Sequence, residues 1–288
     1  MLAKIRNILG RKPAKIEHSL ENVPEVKHFR NETVEQAGKR IRSPDSLKKD
    51  INHNGHFRVI ARNDEEAESI GKENLKSSSE KKTVLYGDDN ISGYISGDRY
   101  LKFLTLTRNG DIFSTYPLFS AGKPTPARLT NITECENSYE GQLEIFLNGS
   151  AISFFDTLYF ANKNKYYPGK DVKVLLSGVA YVLTRARKAP LAEKKSQAVP
   201  KVLGEMELAT RYENGDLDDY IFRGIVKGVK EFRIREKKAY VIKTSLKTGI
   251  DGDHTDFYIC ATENAIQEKV RVGDHISGIV WMQGFIVE

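Results

Sequence analysis

The sequence predicts a mainly β protein: a largely disordered or weakly helical charged arm over residues 1–83, followed by two small β-barrel or sandwich domains. Two observations carry that prediction. Near Thr83 the texture changes from polar and charge-mixed to dense in short runs of β-branched and aromatic residues. Glycine, asparagine and proline turn signals separate those runs at the close spacing of an all-β fold.

At 288 residues the chain is long enough for two domains and a tail, at the usual ~100–150 residues per domain. The apolar fraction is 39%, low for a chain folded throughout, and the deficit lies in the arm, where Lys, Glu, Ser and Asn dominate. The net charge of +6 would point to an acidic partner if it were concentrated on one face. It is spread instead: residues 1–90 carry 18 basic and 15 acidic side chains, residues 91–190 carry 12 and 8, and residues 191–288 carry 15 and 16. Cys135 and Cys260 lie far apart, which excludes a disulfide framework and a paired-thiol metal knuckle. The apolar runs are much shorter than a spanning helix needs and the N-terminus lacks a secretory apolar region, so a soluble, cytoplasmic protein is expected.

Within the arm, Met1–Lys15 places Leu2, Ile5 and Ile8 or Leu9 at helical spacing among Lys4, Arg6, Arg11, Lys12 and Lys15, with no acid. Such a segment suits an anionic membrane or a partner's groove. Gly10 and Pro13 cut the stripe after barely two turns, which favours a solvated start. Further on, residues 65–75 suit a short helix with Ala67, Ile70 and Leu75 on one side, residues 57–61 a brief strand, and residues 77–82 (SSSEKK) a linker.

The first β domain is expected over 84–187. Strands are predicted at 100–106 and 111–116, joined by Arg108-Asn109-Gly110, a hairpin signal in which glycine supplies positive φ. More follow at 127–133, 142–146, 152–161 and 172–183. Residues 188–202, rich in proline, small residues and charge, read as a flexible joint.

The second β domain is expected over 203–288, with strands at 220–234, 238–246, 256–261 and 275–287, and one or two helical turns at 264–269 before Val272-Gly273-Asp274. In the first strand Phe222, Val226, Phe232 and Ile234 alternate with Arg223, Lys227, Arg233 and Arg235, as in a strand with one face in the core. Gly224 and Gly228 suit a bulge or sharp coil. Three strands, a short helix and a closing strand pair resemble an OB-fold in element order, over about seventy residues. LYFAN (158–162) with YYPGKDVKVLLSG (166–178) also resembles FYICA (257–261) with VRVGDHISGIVWMQG (270–284), so tandem related barrels and convergence on common turn grammar both stay open.

Two clusters bear on function. Arg223, Lys227, Lys230, Arg233, Arg235, Lys237, Lys238 and Lys243 form a basic strip, with Tyr240, Phe257, Tyr258, Trp281 and Phe285 as aromatics. OB-folds that bind single strands combine such a groove with stacking platforms. Against this, the aromatics suit a barrel core, the lysines suit a solvated edge strand, and Asp216, Asp218, Asp219 and Glu231 dilute the field. Asp251, Asp253, His254 and Asp256 lack the ordered spacing of a calcium loop and read as a polar hairpin. His18, His28, His53 and His56 fall in the arm, and neither a phosphate-binding glycine loop nor a nucleophile elbow is present.

No cofactor, metal or catalytic set is therefore expected. The leading expectation is a non-catalytic protein-interaction or assembly factor whose partner is another protein. The alternative is a single-stranded nucleic-acid binder using Arg223, Lys227, Arg233, Arg235, Lys237, Lys238 and Lys243 with Tyr240 and Trp281.

Overall fold

The computed structural model describes residues 54–57, 60–61, 63–81, 84–86, 91–97, 100–186, 208–213, 215–247 and 254–287. Met1–Lys15, the joint at 188–202 and the aspartates Asp251 and Asp253 lie outside these residues. The protein is mainly β, as the sequence predicts, with its strands in a four-stranded and a ten-stranded sheet.

The small sheet is an antiparallel meander of β1 (Val84–Tyr86), β2 (Ile91–Gly97), β3 (Leu101–Arg108) and β4 (Asp111–Phe119). Its β3–β4 hairpin closes on Asn109 and Gly110, both at positive φ (53° and 95°), the conformation a tight two-residue hairpin loop demands. A helical segment α1 (Asn54–Phe57) and a helix α2 (Asp64–Lys81) pack against this sheet. Buried Asn74 fixes α2 by donating its amide to Tyr94 O (2.6 Å), Phe103 O (3.0 Å) and Thr105 Oγ1 (2.8 Å).

Two local readings within the arm are corrected. Where a strand is expected at 57–61, the described residues Ile60 and Ala61 turn their N–H groups back onto Phe57 O (2.7 and 2.5 Å), which brings Phe57, Ile60 and Ala61 into one core. Residues 77–81, expected as linker, continue α2.

The ten-stranded sheet contains β5 (Thr125–Glu134), β6 (Gly141–Leu147), β7 (Ser150–Asp156), β8 (Asp171–Arg185), β9 (Leu208–Arg211), β10 (Asp219–Ile225), β11 (Gly228–Ile234), β12 (Lys237–Lys247), β13 (His254–Thr262) and β14 (His275–Ile286). Its order is β11-β12-β13-β8-β5-β6-β7-β14-β10-β9, and β8 also pairs with β14 over most of its length. That extra pairing closes a ring, β5-β6-β7-β14-β8. Strands on both sides of the expected joint are thus hydrogen-bonded to one another.

Two strand predictions need local correction. The expected strand 152–161 stops at Asp156, whose Oδ1 accepts the Leu158 N–H (3.0 Å) and turns the chain into the short helix α3 (Tyr159–Asn162). LYFAN is therefore a helical segment while FYICA lies in β13. The expected strand 220–234 breaks at Val226, whose N–H and carbonyl bond Asp274 O (2.9 Å) and the Gly273 N–H (2.8 Å). Where one or two helical turns are expected at 264–269, one forms, with Ile266 N–H on Thr262 O (3.2 Å), before Ile266 bridges to Leu183.

Two buried clusters result. One fills the ring and its continuation with Leu129, Leu143, Phe154, Phe222, Ile242, Ile259 and Met282, among others. The other joins α1, α2 and the small sheet to the outer face of β11, β12 and β13, where Ile234, Ala239, Val241, Tyr258 and Cys260 meet Phe57, Ile60, Tyr100 and Leu101.

Candidate functional site

The basic strip is distributed over β10, β11 and β12, and most of it is engaged by the chain itself. Arg235 reaches Glu73 of α2 (2.5 Å). Lys237 donates to Ile60 O and lies 3.4 Å from Glu66. Both cations therefore hold α2 and the segment before it against the β11–β12 hairpin. Lys230 sits over the Tyr100 ring (5.1 Å), and Lys243 pairs with Asp256 (2.7 Å). Lys227 donates to Ser245 Oγ, and Lys238 lies 3.9 Å from Glu231. Arg223 is half-buried on the outer face of β10.

Arg233 and Lys238 are both exposed and face each other as a cross-strand pair. Tyr240 is half-buried against the core cluster that contains Ile242 and Ile259. Trp281 has no exposed surface. The strip and its proposed stacking tryptophan therefore do not share an open face.

Trp281 instead belongs to a buried polar cluster where α1, the ring and β10 meet. Its indole N–H donates to Asp218 Oδ2 (2.9 Å), and Gln142 of β6 donates to Asp218 Oδ1 (3.0 Å). On its face lies the His56 ring, with centroids 3.9 Å apart and planes 11° from parallel. His56 Nδ1 is 2.5 Å from the Tyr181 hydroxyl. Burial, then the charge of Asp219, raise the Asp218 carboxyl to about 7; the Trp281 N–H opposes them, and Asp216 adds a smaller upward push. Burial first, then Asp219 and Asp218, drive the Tyr181 phenol far up.

Further carboxylates of the same region are also matched by donors. The Tyr159 hydroxyl donates to Glu134 (3.1 Å) and the Ser114 hydroxyl to Glu140 (2.5 Å). Burial raises Asp156 to about 7, opposed by nearby Tyr166 and by the Leu158 N–H that Oδ1 accepts. Burial, then Glu140, pushes the Cys135 thiol far up, which removes nucleophilic character at neutral pH.

Chemically, the buried hydrogen bonds of Asp218, Trp281, Gln142, His56 and Tyr181 tie three parts of the chain together. Among the described residues no group of three or more His, Cys, Asp or Glu side chains is placed to hold a metal ion. His254 is exposed, and Asp256 is bound to Lys243. No described helix is long and apolar enough to cross a membrane.

Sequence reasoning gave His56 no role and took Asp218 only as a dilution of positive charge. The available signal was local: Asp218-Asp219 opens a strand whose next residues, Tyr220 and Phe222, are core, so at least one carboxylate there has to find buried donors.

Comparison with known proteins adds no relative: no family model, no curated protein and no solved structure matches this chain.

Proposed function

We propose that the protein is a non-catalytic interaction or assembly factor: a β-barrel scaffold of OB-like strand order that binds another protein. The observation that carries this reading is the fate of the basic strand face. The outer surface of β11–β13 packs against α2 and the small sheet, and Arg235 and Lys237 fasten that contact. The surface already works as a protein-binding face, inside its own chain.

The related face on β6 and β7 is open at one end. Phe146 there is 50% exposed beside half-buried Glu144 and exposed Ala151. An aromatic side chain left half in water beside a carboxylate suits a partner protein. Free Cys135 and Cys260 fit a reducing, cytoplasmic setting.

The nucleic-acid reading keeps one specific support, the exposed pair Arg233 and Lys238 at the hairpin end.

A photo-crosslinking residue placed at Phe146 in one variant of the full chain and at Arg233 in another separates the two. The expected result in cells is a discrete adduct at Phe146 that protease, but not nuclease, degrades. A nuclease-sensitive adduct at Arg233 with none at Phe146, or no adduct at either position, would overturn the proposal.

A further inference from the structure

We infer that residues 125–185 and 208–286 are two copies of one folding unit fused in tandem, and that each copy completes the other's barrel. The hydrogen-bond register carries the argument.

In the first copy, Leu129 donates its N–H to Lys170 O (2.8 Å) and accepts from the Gly169 N–H (2.7 Å). In the second, Val226 donates to Asp274 O (2.9 Å) and accepts from the Gly273 N–H (2.8 Å). Gly169 and Gly273 share the same left-handed backbone, φ 92° and 90°. One residue earlier, Arg128 pairs with Asp171 and Ile225 pairs with His275. Three residues on, Ile132 pairs with Leu143 and Val229 pairs with Ile242. Leu143 then pairs with Phe154, and Ile242 with Ile259. Each step carries one copy onto the other without a slip, although a one-residue slip would have turned every following side chain to the wrong face.

The last strand of each copy is where they interlock. β8 closes the first copy by pairing antiparallel with β5, and β14 closes the second by pairing antiparallel with β10. Each also enters the other barrel as a parallel neighbour of its third strand: Cys260 of β13 pairs with Val179 of β8, and Phe155 of β7 pairs with Gln283 of β14. Under the correspondence Val179 and Gln283 are equivalent positions. Between the two strands Gly178 pairs with Met282, which are also equivalent, so an approximate two-fold axis passes through that pair. A contact in which the same patch serves on both sides is the geometry of a symmetric dimer. The surface a copy presents along its last strand thus fits a second copy of the same unit. Deprived of it, each unit exposes a long strand edge and an open barrel.

The test uses the full chain with a specific protease site inserted between residues 188 and 201. After cleavage the two fragments are expected to stay together as a one-to-one complex of the uncleaved mass on gel filtration. Separated in denaturant and returned to buffer in which the uncleaved chain refolds, neither alone should form a cooperatively unfolding monomer, and mixing should restore the complex. A fragment that folds only as a homodimer would also support the inference. Fragments that part on cleavage without denaturant, or either one refolding as a cooperative monomer, would overturn it.

Discussion

Asp218→Asn should flatten the dependence of stability on pH. The Asp218 carboxyl is fully buried between the Trp281 and Gln142 donors, and its pKa rises from 3.8 to about 7. A carboxyl raised on folding holds its proton more tightly in the native state. Its contribution is fully present below the unfolded value and is lost as pH rises through the folded one. A rise of roughly three units, at about 1.4 kcal/mol per unit, amounts to about 4 kcal/mol over the whole window. Of this, about 2.5 kcal/mol falls between about pH 5 and pH 8. Asparagine keeps the shape and an oxygen for the Trp281 N–H, while the Gln142 amide can turn to present its own oxygen to the new NH₂. Trp281 is the chain's single tryptophan and reports unfolding directly. Urea titrations followed by its fluorescence at pH 5, 6, 7 and 8 should show wild-type stability falling with pH. The variant should fall by about 2.5 kcal/mol less over that range. Asp156, also raised to about 7 by burial, leaves a second slope that an added Asp156→Asn should reduce in turn. An Asp218→Asn protein with the wild-type slope would refute the reasoning.

Gly278→Ala should abolish folding or cost at least about 3 kcal/mol, because its Cβ would stand 2.0 Å from Val182 O across the β8–β14 pair; Gly149→Ala, at φ 82° with open space around it, should cost only about 1–2 kcal/mol. Thermal unfolding of both variants checks the contrast. Lys237→Ala should weaken docking of α2 by about 1–2 kcal/mol, read as faster amide exchange in residues 64–81, whereas Arg235→Ala, whose pair with Glu73 is largely solvent-exposed, should change it by less than about 1 kcal/mol. Asn74→Leu should destabilise the protein by about 2–3 kcal/mol in chemical denaturation, because it strips donors from the Tyr94 and Phe103 carbonyls beneath the helix.

What the sequence made legible was whatever local chemistry decides. The Asn109-Gly110 hairpin, the β5, β6, β8, β12 and β14 cores and the alternation of Phe222 and Val226 against Arg223 are fixed by turn residues and a two-residue period. The break at Val226 was hidden, because its cause is the Gly273 turn nearly fifty positions away. The stretch at 57–61 was equally ambiguous: four apolar residues around Arg58 suit a strand or a turn, and the core that receives Phe57 and Ile60 decides. The site was less legible than the fold. Trp281 lies on β14, Asp218 in the turn before β10 and His56 on α1, and their meeting depends on how β10 pairs with β14 and how α1 docks. No spacing rule connects such positions.

The basic strip shows why charge alternation on one strand is weak evidence for a ligand. Alternation reports only that two faces differ, and the strip's even positions proved to face two different cores. Phe222 and Val226 look into the barrel interior, while Ile234 looks toward the small sheet. The comparison of copies extends this. Positions Val241 and Cys260, where the second barrel receives the chain's own α2 and small sheet, correspond to Gln142 and Phe155 in the first. There Gln142 is bound by Asp218 and Phe155 is covered by Tyr116 and Trp281. Further along the same strands, Ser245 of the second barrel is buried, whereas its counterpart Phe146 is half exposed. Both copies meet the small sheet on this face, but at the level where Ser245 is buried the first copy keeps an aromatic residue half in solvent. Under the proposed function, that exposed level of the first copy is where an external partner would dock, away from the strand whose charges first drew attention.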